Sequence, residues 1–163
     1  MGQSGTPTKN VFATTTDDIN GLLEGSAWDH VVNGQTVLTW SEPNSSADYN
    51  YPTTLTGVAS VTPSEDTNIR AALDEWSAVA NLVFNPITET TTTHADLRFA
   101  QASGVPDQPS FFGGAGTWPD HKTLTALPGD TFFHSGATGA EAQLQNTQPG
   151  SWGDHVARHE IWA

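Results

Sequence analysis

Cysteine is absent from the 163 residues, so disulfides and thiolate metal ligands are both excluded. That is compatible with the cytosol and equally with export as an unfolded chain. Basic side chains are scarce: 5 Lys and Arg stand against 18 Asp and Glu, for a net charge of −13. Phosphate backbones and anionic bilayers call for basic patches, so neither nucleic acid nor a membrane is expected as a partner. Solubility alone accounts for such a charge, with contact with calcium or an extracellular life as the functional alternative. No apolar run approaches the roughly 18 residues of a membrane span. No N-terminal stretch joins a basic start to an apolar run, so a secretory signal peptide is not expected. Internal repeats are missing too, Gly-Gly-x-Gly-x-Asp nonapeptides included.

What the chain does have is aromatic area and turn formers. Hydrophobic residues make up only 36%, yet six Trp, seven Phe and two Tyr concentrate apolar surface in few positions. With 15 Gly and 10 Pro, a loop-rich single domain is expected rather than a helical bundle. Residues 1–16 are polar and read as a flexible leader, with a domain from 17 to 163. Residues 19–23 with Ala27 and Trp28 suggest a short docked segment. Residues 37–40 read as a strand, and residues 43–57 as a loop.

The clearest helix starts at Thr62-Pro63-Ser64-Glu65, a capping box with Pro at the first helical position. Ile69, Leu73, Trp76 and the Val79–Ala80 pair then recur at helical spacing and predict one buried face. Residues 82–84 read as a strand ended by Pro86. Residues 95–99 alternate as a half-buried strand should, which puts Asp96 and Arg98 on its exposed side. Residues 102–128 form a long Gly- and Pro-rich stretch, residues 131–133 a further strand, and a last helix starts near Ser151 or Gly153.

The last helix carries the chemistry. In His-Glu-x-x-His, two imidazoles one turn apart bind a metal and the Glu takes a proton from metal-bound water. Here His159-Glu160 supply the first ligand and the base, but the second ligand's position holds Ala163. His155 lies four residues before His159 and so shares its helical face, making a second, possible metal pair. The base should follow the first His of such a pair, and Val156 stands there instead. His30, His94, His121 and His134 share no ligand spacing and read as surface or hydrogen-bonding histidines.

Six phrases, in order, resemble the protease domain of the serralysin family, bacterial zinc proteases within the metzincins. They are residues 19–23 (INGLL) with 48–51 (DYNY), 71–81 (AALDEWSAVAN), 94–99 (HADLRF), 128–133 (PGDTFF), 149–153 (PGSWG) and 159–161 (HEI). The resemblance implies an α/β fold, a metzincin-like twisted mixed sheet of about five strands backed by two helices. It implies zinc-dependent endopeptidase chemistry on protein or peptide substrates, with His159 a zinc ligand and Glu160 the general base. It implies that Gly114, Ala115, Gly116, Thr117 and Trp118 form an antiparallel edge strand that pairs with extended substrate. Secretion from a bacterium without an N-terminal signal peptide goes with it.

The departures are equally specific. The family continues His-Glu-x-Gly-His-x-x-Gly-x-x-His, whereas Trp162 and Ala163 replace its Gly and second His. A third His, a Met turn, its Tyr ligand and a calcium-binding repeat domain would lie beyond residue 163. The chain therefore reads as the N-terminal subdomain of the protease fold, with zinc absent or weakly bound and no peptidase activity of its own. A non-catalytic peptide-binding or protein-binding module is the alternative. Trp152, Val156 and Ala163, with Trp162 nearby, are expected to face solvent and to invite self-association.

Overall fold

Thr62 opens helix α1 (Pro63–Val79) as the sequence indicates. Its hydroxyl accepts from the Glu65 amide, and the Glu65 carboxylate accepts from the Thr62 amide at 2.8 Å. Pro63 has no N–H, so two of the three orphan donors at the helix start are thereby satisfied. Glu65 is itself buried and also receives the side-chain amides of Gln101 and Gln145, tying α1 to the sheet and to the segment before the last helix. Ile69, Ala72 and Leu73 supply the buried face. Val79, at the last turn of the helix, does not join it and is 79% exposed.

The computed structural model describes residues 7–10, 26–44, 55–90, 92–104, 114–116, 129–135 and 144–162. The expected segment 19–23, residues 48–51, Thr117, Trp118, His121 and Ala163 lie outside them. Within the stretch read as a leader, β1 (Thr8–Asn10) pairs antiparallel with β2 (Ser26–Trp28). The remaining strands are β3 (Val31–Val32), β4 (Gln35–Ser41), β5 (Leu82–Pro86), β6 (Leu97–Ala102), β7 (Gly114–Gly116) and β8 (Asp130–His134). The second helix, α2, spans Trp152–Trp162.

These six strands form one mixed sheet. Thr36 is paired by both β3 and β5, and Trp40 by both β5 and β6. A strand has two edges, so β5 lies on one side of β4, with two-residue β3 and then β6 along the other. The order across the sheet is β5, β4, β6, β8, β7. The first four are mutually parallel, and β7 runs antiparallel to β8 at the end. The fold is thus mixed α/β with two helices.

Register decides which side chains share a face. Trp40 stands opposite Leu97, and Phe99 opposite Thr131, all toward the helices. There Trp40, Phe99 and Phe133 pack with Ile69 and Leu73 of α1, Leu144, and Val156 and Ala157 of α2. Trp40 and Phe99 meet edge to face at 6.1 Å between centroids. Val156 is 5% exposed, which corrects the expectation that it faces solvent: α1 and Leu144 already cover that side of α2. Trp152 is 42% exposed, as expected.

Asp96 and Arg98 are the second correction, since each is 1% exposed. A parallel sheet is buried on both faces, so alternation in its central strand separates two interiors rather than inside from outside. Asp96 takes the Thr39 amide and hydroxyl on one carboxylate oxygen, at 2.7 and 2.8 Å. Arg98 donates to Glu89 at 2.9 Å and to Asp130 at 3.2 Å. Glu89 also receives the Ser41 hydroxyl and the Ala95 amide, and bonds the His94 ring. Gly129 sits where this face meets the turn into β8, with φ +82°, and a Cβ there would fall 2.1 Å from the Asp96 carbonyl oxygen.

Candidate active site and peptide-docking edge

The entry to α2 is tightly built. The Ser151 hydroxyl accepts from the Asp154 amide, and the Asp154 carboxylate accepts from the Gly150 amide at 2.7 Å. Gly153 presses on the preceding turn so closely that a Cβ would lie 2.5 Å from the Leu144 carbonyl oxygen and 2.6 Å from that of Asn146. Arg158 then reaches Asp154 at 2.8 Å on its own helix and Glu75 on α1. Cap, glycine contact and ion pairs together hold α2 at one rotation about its axis.

That rotation sends the motif residues in different directions. Val156, Ala157 and Ile161 turn inward. His155 and His159 are exposed on the outer face, their rings 6.2 Å apart and 23° from parallel, with Trp152 a further turn back and 5.8 Å from His155. Glu160 is half-buried and lines a cavity of about 380 Å³ between the sheet, α1 and α2. Leu38, Trp76, Phe84, Phe99 and Trp28 share its walls. Trp76, expected in the core, is instead half-buried at this cavity. Successive helical residues point about 100° apart, so His159 faces solvent while Glu160 faces an apolar hollow.

Zinc catalysis needs three protein ligands around an open position. Of that set the described residues supply His159, with His155 one turn before it, and nowhere among them do three His, Asp or Glu side chains gather as a metal would require. Position 163, where the resembled motif carries its second His, is Ala.

A second candidate feature is the end of the sheet. β7 is the last strand of the sheet, paired only with β8 among the described strands, in the register Gly114 to Phe133, Ala115 to Phe132 and Gly116 to Thr131. It lies beside α2, so the edge and the helix bearing His159 and Glu160 are neighbours. Gly114, Ala115 and Gly116, read as substrate-binding positions, are the three residues of this strand.

The remaining described histidines are accounted for locally. His30 bonds the Val37 carbonyl, His94 bonds Glu89, and His134 is half-buried in β8. Sequence reasoning passed over Glu89, the hub of the buried ion network. Nothing in a lone Glu before a Thr-rich stretch marks it; only the proximity of Arg98 and His94 does. It also passed over Glu42, whose carboxyl is raised from its ordinary 4.5 to about 7 by partial desolvation first, then by a hydrogen bond and like charge from Asp66, against a lowering pull from Arg70. No protein-family model matches the chain, and no curated protein matches it.

Proposed function

We propose that this chain is a zinc-endopeptidase domain of the serralysin type that keeps the family's peptide-docking edge without its hydrolytic metal. The observation that carries the proposal is the edge strand β7, antiparallel to β8 at the end of the four parallel strands and beside the helix that bears His159 and Glu160. An exposed strand edge presents a row of unpaired amides and carbonyls, and an extended peptide pairs with it as an added strand. The small residues Gly114, Ala115 and Gly116 suit close approach by another backbone.

Hydrolysis is the activity the domain lacks. Ala163 stands where the second imidazole belongs, and Glu160 is turned to an apolar cavity rather than to the side of His159. Washed protein is expected to carry well under one zinc per chain by elemental analysis, and to show no casein hydrolysis that a chelator abolishes. Stoichiometric zinc with chelator-sensitive hydrolysis would restore the enzyme reading. For docking, an extended-peptide library is the test: binders are expected, and N-methylation of alternate peptide amides should weaken them. A library without binders removes the docking module.

A further inference from the structure

We infer that His155 and His159 form a clamp for a divalent transition-metal ion on the solvent face of α2, distinct from the zinc set of the family motif. That set uses His159 with the residue four positions after it, whereas the clamp uses His159 with the residue four positions before. Both residues of the clamp are present in this chain. Positions i and i+4 of a helix bring side chains about 5–6 Å apart at Cβ. Both rings are exposed, and they already stack at 6.2 Å with only 23° between their planes. Two imidazole nitrogens on one ion, each about 2.0–2.1 Å from it, lie roughly 3 Å apart. Rotation about the side-chain bonds of two exposed residues covers the difference, with no change in the backbone.

The surroundings leave both rings available. No described residue hydrogen-bonds either one. Asp154, the nearest carboxylate on the same helix, is committed to Arg158 and to the Gly150 amide. Glu160 lines the cavity on another side of the helix. Two neutral imidazoles and water form a nitrogen-rich, open site, which favours Cu(II) most among the first-row divalent ions, then Ni(II) and Zn(II). Trp152, one turn back with its ring 5.8 Å from that of His155, is a built-in reporter.

The test is calorimetric titration of the folded chain with Cu(II), followed in parallel by fluorescence. One ion per chain is expected, and either His155→Ala or His159→Ala should weaken binding about tenfold or more. His94→Ala, which alters a histidine of the ion network, should leave it unchanged. Cu(II) should quench a share of the Trp emission that Trp152→Phe removes. All three histidine variants are first checked for native circular dichroism, and the exposed pair carries little risk of unfolding. Binding that survives His155→Ala but not His159→Ala would place the ion on other donors and overturn the clamp. So would a double variant that binds as well as the parent chain. Neither result bears on docking at β7, which is read with peptides and no metal.

Discussion

Glu42 and Glu89 are both acidic residues beside an arginine, and their surroundings give them opposite consequences. Glu42 meets Asp66, a like charge, and its carboxyl holds its proton up to about pH 7. The folded chain therefore binds that proton more tightly than the unfolded chain does. The stability this group contributes is complete below about pH 4.5 and is lost as the pH rises through about 7. Glu42→Gln keeps a donor for Asp66 and removes the charge. Urea unfolding from pH 4 to 8 should show the variant gaining on the parent chain as pH rises, with the two alike at the acid end. A constant difference across that range would mean that Glu42 titrates normally.

Glu89 instead serves Arg98, Ser41, the Ala95 amide and His94 at once, with its side chain 6% exposed. A buried ion pair adds little net stability over a packed apolar pair, but removing one partner strands the other in low dielectric. Glu89→Ala should cost about 3–5 kcal/mol by denaturant unfolding. A loss below about 1 kcal/mol, the worth of an exposed pair, would mean that water reaches Arg98.

At the scale of elements, the helices were legible at their starts and less so along their faces. The Thr62 capping box and Pro63 mark the first turn of α1 by chemistry that involves neighbours in sequence only. Whether Val79 is buried depends on what the fold places beside the helix's last turn, and no local pattern carries that. The start of α2 shows the same division. Its placement against residues 144–146 turns on Gly153, whose missing side chain is a tertiary requirement. Gly153→Ala exchanges a poor helix former for the best one, so an isolated helix would gain. In the folded domain the Cβ meets two carbonyl oxygens, and the expected outcome is a net loss of about 1–3 kcal/mol in thermal or urea unfolding. A stabilised variant would show that the turn before α2 can yield.

For the molecule as a whole, the charge of −13 acts everywhere at once. Self-repulsion opposes the compact state and is screened by salt. Raising NaCl from roughly 0.01 to 0.3 M shortens the screening length from about 30 Å to several ångströms, and the melting temperature should rise. A falling melting temperature would indicate that the few ion pairs outweigh the net repulsion. Of the described apolar positions expected to drive self-association through α2, Trp152 is exposed and Val156 is covered by the core.

The sequence by itself determined the start of α1 and strands β4, β5, β6 and β8, and its resemblance to a known family implied the mixed α/β class. The elements follow from residue type and near-neighbour spacing: caps, alternation and proline. Only the tertiary structure decided that Arg98 and Asp130 share an interior face, that Glu160 looks into a cavity while His159 looks out, and that β7 closes the sheet at an edge. Those outcomes depend on which strands lie side by side and how a helix is rotated against them, contacts between residues tens of positions apart that no local pattern encodes.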